Sequence, residues 1–216
     1  MDNKEYIFFD LDGTLTEPAE GITNSVAFAL EKFGITVKDK TTLQKFIGPP
    51  LIDSFVEFYG FSRENAEKAV AFYREYYKEK GIFQNKVYEG IPAILETLFE
   101  KNKKIILASS KPQLFAEQIL KYFGIEKYFS LIVGATMDEK RSHKDEVLAF
   151  AIEKSGITDI SSAVMIGDRK FDIEAAHKYG MDAIGVLFGY GSIEELKASG
   201  ADFIAATTNE LKNLLI

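Results

Sequence analysis

The feature that most restricts the fold is the apolar run Tyr6–Phe9, which leads directly into Asp10, Leu11, Asp12 and Gly13. An apolar run bounded by turn-forming residues is typical of a β-strand that is buried on both faces, as in a parallel sheet covered by helices. The two carboxylates that follow repel each other, and a cation with oxygen ligands, such as Mg²⁺, relieves that repulsion. Taken alone, the pattern also fits a strand followed by an ordinary Asp-Gly turn.

Length and composition are those of an ordinary globular protein. The 216 residues suffice for one domain or for a core domain with a small insertion, and 46% of them are hydrophobic. The absence of cysteine excludes disulfides, thiolate metal sites and a cysteine nucleophile. A net charge of −7 argues against binding to the nucleic-acid backbone. Because the sequence shows neither a leader-like nor a membrane-spanning segment, we expect a cytoplasmic protein without a nucleic-acid or membrane partner.

Two patterns of periodicity divide the chain. Between residues 17 and 86 the apolar residues follow helical spacing, and no strand pattern interrupts them. From Val87 onwards, short apolar runs alternate with helical patterns, which is typical of a parallel sheet covered by helices. The sequence therefore predicts an α/β fold with a Rossmann-like parallel sheet. Its core domain comprises residues 1–16 and 87–216, and residues 17–86 form an inserted, all-helical cap domain.

Polar residues directly follow three of the predicted strands. They are Asp10 with Asp12, then Ser109, then Asp168 with Asp172 shortly beyond it. Ligands bind beyond the carboxyl ends of the strands in an open parallel sheet, so these side chains are expected to meet at one edge. The set suits phosphoryl transfer, because one carboxylate can attack phosphorus, a second can transfer protons, and Mg²⁺ can neutralise developing charge.

Four segments carry a resemblance to a known family. Asp10–Leu15 is similar to its first motif, Leu107–Pro112 to its second, Lys144 to the lysine of its third, and Gly167–Asp172 to its acidic fourth motif. The family is the haloacid dehalogenase superfamily of phosphatases with an aspartate nucleophile. Within it, the chain resembles the branch of phosphoglycolate phosphatases and 5′-nucleotidases that carries an α-helical cap, and the resemblance covers nearly the whole chain.

The resemblance implies a catalytic pair and a metal site. Asp10 would be the nucleophile and a Mg²⁺ ligand. Asp12 would be the general acid and base, with its backbone carbonyl on the metal. Asp168 and Asp172 would hold Mg²⁺ directly or through water.

The resemblance also implies a set of residues that bind the transferred phosphoryl group. These residues are Leu11, Ser109, Ser110 and Lys144. The alternatives for the lysine and Ser109 are an exposed lysine at a helix start and a turn residue after a strand. For Asp172 the alternative is an acid in the first helical turn, stabilised by the helix dipole.

The insertion directly after the first strand is well placed to act as a lid that limits substrate size. Asn24, Gly48 and Pro49 are predicted to face the site from this cap. An amide on the cap surface and a connection between helices are the open alternatives for these residues.

The expected function is Mg²⁺-dependent hydrolysis of a small phosphomonoester through an aspartyl-phosphate. Phosphoglycolate and nucleoside 5′-monophosphates are the favoured substrates. A phosphosugar mutase of the same superfamily and an inactive homologue that binds a phosphorylated ligand are the alternatives. A response-regulator receiver domain also forms an aspartyl-phosphate, but it is much shorter and lacks a helical insertion. The oligomeric state, monomer or homodimer, is left open.

Overall fold

The structure is a computed structural model that describes residues 1, 3–138 and 140–216. The described residues form two compact units. The first unit comprises Met1–Glu17 and Val87–Ile216, and the second comprises Pro18–Lys86. None of the described helices is long and apolar enough to cross a membrane.

The strands of the described residues are mostly short, and the longest carries two predicted site residues, Ser109 and Ser110. They are β1 (Tyr6–Phe9), β2 (Thr16–Glu17), β3 (Lys86–Val87), β4 (Lys104–Pro112), β5 (Leu131–Ala135), β6 (Ala163–Gly167), β7 (Asp182–Val186) and β8 (Phe203–Ala205). Strands β2 and β3 pair with each other and were not predicted, since two residues are too few for a periodic pattern.

The α-helices alternate with the strands in the first unit and follow one another in the second. They are α1 (Ala19–Glu31), α2 (Leu51–Tyr59), α3 (Arg63–Glu79), α4 (Ile91–Glu100), α5 (Gln113–Tyr122), α6 (Lys144–Ser155), α7 (Lys170–Lys178), α8 (Ile193–Ala198) and α9 (Thr208–Leu215). A 3-10 helix, Lys40–Phe46, lies between α1 and α2.

A six-stranded sheet in the order β5-β4-β1-β6-β7-β8 forms the centre of the first unit. Its strands are parallel, and in β1 Phe8 lies opposite Ile106 of β4 and Met165 of β6. Helix α6 packs on β4 and β5, and α7 packs on β6 and β7. Because β1 is in the middle of the sheet, both of its faces are covered, which explains its continuous apolar sequence. The arrangement confirms the predicted α/β, Rossmann-like fold class.

Strand β4 extends further than its apolar run indicates. The apolar residues end at Ala108, but β4 continues through Ser109 to Pro112. Its register against β5 shifts between Ser109 and Pro112, as in a bulge. A shift of this kind re-aims side chains, and it places the polar end of β4 within the sheet edge rather than in a following loop.

The second unit is helical and has an aromatic centre. The ring of Phe46 lies 5.0 Å from that of Phe55 and 5.3 Å from that of Phe58, and Phe61 stacks on Phe55. Ser62 caps α3 by accepting the N–H of Asn65 at 3.2 Å. The aromatic residues therefore supply much of this unit's own core.

Replacing Phe8 tests the central position of β1. Phe8 is completely buried, so Phe8→Ala should lower the free energy of unfolding by roughly 3–5 kcal/mol, measured by urea denaturation. Phe99→Ala is the matched control, because Phe99 is 54% exposed and its loss should cost less than about 1 kcal/mol. Equal losses in the two variants would contradict the central position of β1.

Candidate active site

Asp10 lies immediately beyond β1, at the carboxyl edge of the sheet. Its backbone N–H donates a hydrogen bond to the carbonyl oxygen of Ile166 in β6 at 2.9 Å. This bond continues the pairing of β1 with β6 and fixes the backbone from which the side chain extends. Asp10 is buried, and a buried carboxylate requires a cation, a proton or several donors as partners.

A tight turn after Asp10 orients Asp12. The carbonyl oxygen of Leu11 accepts the N–H groups of Leu15 at 2.9 Å and Thr16 at 3.0 Å. Asp12 forms an isolated bridge with Thr16, so the turn folds back on itself. The backbone therefore holds both Asp10 and Asp12 without help from their side chains.

Gly13 allows the turn to approach Asp168. Its φ is +85°, in the region that favours glycine, and a Cβ built on it would lie 2.2 Å from Oδ2 of Asp168. Any other residue at this position would collide with that carboxylate. The glycine of the predicted Asp-Gly turn thus serves both the backbone conformation and the close approach of a site residue.

Asp168 and Asp172 join Asp10 from β6 and α7. Asp168 directly follows β6, and Asp172 lies in the first turn of α7, where its Oδ2 accepts the N–H of Arg169 at 3.1 Å. Both carboxylates are only 1% exposed. Asp10, Asp168 and Asp172 each offer one ligand oxygen, and these oxygens lie within 4.8 Å of one another.

Burial and mutual repulsion change the pKa values in this cluster. Desolvation, followed by repulsion from Asp172 and Asp10, raises the pKa of Asp168 well above its ordinary value. Desolvation, together with repulsion from Asp10, outweighs the opposing effect of Lys144 and raises the pKa of Asp172 to about 6. The cluster therefore carries more negative charge than its protein surroundings stabilise.

Lys144 is the cation within this cluster. It lies at the start of α6, and its Nζ is 2.7 Å from Oδ1 of Asp10, 2.8 Å from Oδ1 of Asp172 and 3.0 Å from the carbonyl oxygen of Ala108. Burial by itself lowers the pKa of a lysine, but the charges of Asp10 and Asp172 outweigh burial and raise the pKa of Lys144. The side chain is buried, so the alternative of an exposed lysine at a helix start does not describe it.

The residues present fit a magnesium ion. Oδ1 of Asp10 and Oδ1 of Asp172 are buried, and the described residue that lies close to both is Lys144. A carboxylate oxygen has two lone pairs, so each of these oxygens can accept a further ligand beside Lys144. Mg²⁺ prefers carboxylate oxygens and water, and Asp168 supplies a third buried carboxylate beside them.

The residues predicted to bind phosphate lie on β4, α6 and the turn after β1. Ser109 is buried in β4, and its Oγ accepts the N–H of Lys111 at 3.3 Å, while the adjacent Ser110 is half-buried. The side chain of Leu11 is buried in the core, so a contact with phosphate would have to use its backbone. The phosphate-binding roles of Leu11, Ser109, Ser110 and Lys144 stay predictions.

Lys111 is a site residue that the sequence analysis did not single out. Its buried Nζ forms a short ion pair with Oδ2 of Asp12. Burial raises the pKa of Asp12, and the charge of Lys111 opposes that rise only in part. Lys111 lies two positions after Ser109, a spacing that places residues on one face of a strand, and this spacing is the signal that could have indicated it.

The predicted cap residues belong to the second unit. Asn24 on α1 accepts a hydrogen bond from Lys40 at 2.7 Å and donates one to Gln84 at 3.1 Å, both within that unit. Gly48 has a φ of +106°, and with Pro49 it lies in the turn after the 3-10 helix. That these three residues face the active site stays a prediction.

In a chelating buffer, the free energy of unfolding should increase when the pH is lowered from about 7.5 to about 5. The pKa of Asp172 is about 6 in the folded protein and lower in the unfolded chain, so the folded state binds more protons in this range. Its raised pKa destabilises the folded state above about pH 6, and this penalty is lost as the pH falls.

Asp172→Asn should reduce this increase by roughly 1–2 kcal/mol, measured by urea denaturation at both pH values. Asp145→Asn is the control, because hydrogen bonding to Lys178 lowers the pKa of Asp145 and moves its effect below this pH range. An increase of the same size in Asp172→Asn and wild type would contradict the assignment to Asp172.

Comparisons with known proteins agree on one family. The family model for haloacid dehalogenase-like hydrolases matches residues 7–186. A 5′-nucleotidase from Pseudomonas aeruginosa is 41% identical over 97% of this chain and 94% of its own length. The tyrosine-protein kinase PtkA of Mycobacterium tuberculosis is 34% identical over 99% of this chain and 73% of its own length.

A solved structure agrees as well. The crystal structure of a predicted phosphatase from Clostridium acetobutylicum superimposes with a TM-score of 0.95 at 47% identity, covering 98% of this chain and 97% of that one. The matched family is therefore consistent with the fold and with the buried acids at the sheet edge. The chain belongs to the haloacid dehalogenase-like hydrolases and is a phosphatase that acts on phosphoric monoesters.

Proposed function

We propose that this phosphatase hydrolyses a small phosphomonoester through an aspartyl-phosphate on Asp10, with Mg²⁺ as its cofactor. The observation that carries the proposal is the convergence of Asp10, Asp168 and Asp172 around Lys144 at the carboxyl edge of the sheet. The side chains of these three acids, together with the backbone carbonyl of Asp12, would hold the metal ion.

In the first step an oxygen of Asp10 attacks phosphorus. The new bond between this oxygen and phosphorus forms as the bond between phosphorus and the ester oxygen breaks. Lys144 contacts Oδ1 of Asp10, so its positive charge lies beside the attacking carboxylate. The ammonium group of Lys144 and the hydroxyl of Ser109 would then bind oxygens of the transferred phosphoryl group.

Asp12 is suited to transfer the protons in both steps. Its pKa is raised by burial, which favours a protonated form that can donate to the leaving ester oxygen. Once ionised, Asp12 can take a proton from water as that water attacks phosphorus, which releases phosphate and regenerates Asp10. Lys111 contacts Oδ2 of Asp12, while Oδ1 has no hydrogen-bond partner among the described residues and can serve the substrate.

When bound, Mg²⁺ would neutralise the excess negative charge of the carboxylates and withdraw charge from the phosphoryl oxygens. Without a cation of this kind, a phosphate dianion would meet the charge of several buried carboxylates. The acidic cluster therefore requires such a cofactor for the proposed substrate to bind.

Nucleoside 5′-monophosphates are the proposed substrates, with phosphoglycolate as the second candidate. The likeness to the 5′-nucleotidase of Pseudomonas aeruginosa supports the first class. Residues 17–86 are proposed to act as the cap that limits access, with Asn24, Gly48 and Pro49 facing the substrate. A cytoplasmic location, which the sequence predicts, is part of the same proposal.

The first test is phosphate release from a panel of phosphomonoesters with and without Mg²⁺. The panel contains nucleoside 5′-monophosphates, phosphoglycolate and a sugar phosphate. Wild type should release phosphate only with Mg²⁺, and Asp10→Asn should lose at least about a thousandfold of this activity because the nucleophile is absent. Asp53→Asn, which changes an exposed carboxylate on α2, is the matched control and should retain full activity.

The products distinguish the alternatives. Isomerised sugar phosphate without free phosphate would indicate a mutase. The likeness to PtkA suggests a second alternative, and phosphate transfer from added ATP to tyrosine in a supplied peptide would indicate a kinase. Binding of the esters without turnover would indicate an inactive homologue. Any of these results, or Mg²⁺-dependent turnover in Asp10→Asn, would contradict the proposed function.

A second test concerns the proton transferred by Asp12. The leaving group of p-nitrophenyl phosphate needs little protonation, so Asp12→Asn should still form the phosphoenzyme rapidly and release one equivalent of nitrophenolate in a burst. With an alkyl phosphate, the first step of the same variant should slow by about 10²- to 10⁴-fold. Rapid-mixing kinetics measures both, and equal losses for the two esters would contradict the role of Asp12 as an acid.

A further inference from the structure

A tyrosine links the proposed metal site to the first connection between the two units. Tyr190 lies in the loop between β7 and α8, and its backbone N–H donates to Oδ2 of Asp168 at 2.7 Å. Its hydroxyl donates to Oε1 of Glu17 at 3.0 Å. Glu17 ends β2 and is the last residue before the chain enters the second unit. One residue, through its backbone N–H and its hydroxyl, thus connects Glu17 with Asp168.

The loop that carries Tyr190 is pressed against the site. A Cβ built on Gly189 would lie 2.3 Å from the carbonyl oxygen of Gly13 and 2.4 Å from Cβ of Asp168. The close approach requires glycine at position 189 and leaves little freedom for the neighbouring Tyr190. The position of Glu17 relative to the site is therefore set by packed backbone rather than by a flexible surface contact.

Tyr88 completes the group. Its half-buried side chain hydrogen-bonds to Tyr190, and after desolvation the strongest influences on its pKa are the charges of Asp168 and Glu17, with that of Asp12 also acting on it. All three charges are negative. Burial and these charges raise the pKa values of Tyr88 and Tyr190 far above the ordinary value, so both hydroxyls stay protonated.

Backbone pairing places Glu17 beside the residue that has to face the leaving group. Asp12, the proposed proton donor, must face the ester oxygen, and Glu17 directly follows Thr16, which forms an isolated backbone bridge with Asp12. Atoms attached to that ester oxygen would lie close to this segment, where the hydroxyl of Tyr190 holds the carboxylate of Glu17.

We propose that Glu17, held by Tyr190 and flanked by Tyr88, is a specificity-determining residue for the leaving group. It favours phosphomonoesters whose leaving group is neutral and carries hydroxyls, such as the ribose of a nucleoside, over those whose leaving group is an anion. The inference rests on the proposed function, and it adds a core residue to the selectivity proposed for the cap.

The reason is the chemistry of a half-buried carboxylate. Its oxygens accept hydrogen bonds from sugar hydroxyls, and they repel a second carboxylate such as that of phosphoglycolate. The hydrogen bond from Tyr190 comes from a neutral hydroxyl, so it positions Glu17 without neutralising its charge. Charges in partly buried surroundings interact several times more strongly than charges in bulk water.

The test compares kcat/KM for a nucleoside 5′-monophosphate and for phosphoglycolate in wild type and Glu17→Gln. The variant keeps the size of the side chain and one acceptor oxygen but loses the charge. The activity on phosphoglycolate should rise relative to that on the nucleotide, with a change of about tenfold in the ratio. Glu89→Gln removes the same charge from an exposed residue next to Tyr88 and should leave the ratio unchanged.

A second variant separates position from charge. Tyr190→Phe keeps the backbone N–H that binds Asp168 but removes the hydrogen bond to Glu17, so the ratio should move in the same direction by a smaller factor. Wild-type turnover together with an unchanged ratio in both variants, or an equal loss for both substrates, would overturn this inference alone. An absence of phosphate release from every ester by wild type would overturn the proposed function and this inference with it.

Discussion

The buried ion pairs of Lys144 are the interaction on which the site depends. Three carboxylates converge at the sheet edge, and desolvation alone would force some of them to take up protons. Lys144 contacts two of these carboxylates and has a raised pKa. It therefore supplies a positive charge in a buried site. An arrangement of this kind contributes little to stability, because desolvating the charges costs about as much as their attraction returns. Its value lies in placing a positive charge beside both Asp10 and Asp172.

The sheet explains how such an arrangement can be held. Asp10, Asp168 and the polar end of β4 all extend from strands that are covered on both faces. Hydrogen bonds along these strands fix the backbone, so the Cα atoms of Asp10 and Asp168 cannot move apart without disrupting the sheet. Lys144 comes from α6, which packs on the neighbouring β4 and β5, and it is therefore as firmly placed as the acids. The fold therefore keeps the carboxylates of Asp10, Asp168 and Asp172 close together despite their repulsion, which a cation would reduce.

Much of this could be predicted from the sequence, for identifiable reasons. Parallel strands with apolar runs are recognisable, and the residues after them meet because of topology, which is why Asp10 and Asp168 could be placed together. The α/β fold, the family and the phosphatase class are confirmed. The roles of the individual site residues stay predictions, although the structure brings Asp10, Asp168, Asp172 and Lys144 together.

Other features depend on packing that no local pattern shows. Lys111 follows an apolar run that ends at Ala108, so its spacing of two from Ser109 indicates a site residue only when β4 is known to continue beyond that run. Tyr190 lies in a loop, and no local pattern indicates its contact with Glu17, because Glu17 is far away in the chain. The short strands β2 and β3 have no periodicity to detect. They form because two segments that are distant in the sequence pair with each other.

The distances along the chain between these partners bear on how the protein acquires activity. The hydroxyl of Thr14 contacts Asp168 across 154 residues of sequence, and the side chains of Lys111 and Asp12 pair across 99 residues. Contacts between distant segments form only after long loops have closed, which slows folding and couples these contacts to completion of the sheet. During synthesis Asp10, the proposed nucleophile, leaves the ribosome early, but it stays without its partners until Asp168 and Asp172 have emerged. A nascent or partly unfolded chain therefore has the carboxylates but no assembled site. Catalytic activity is expected only from chains that have folded completely.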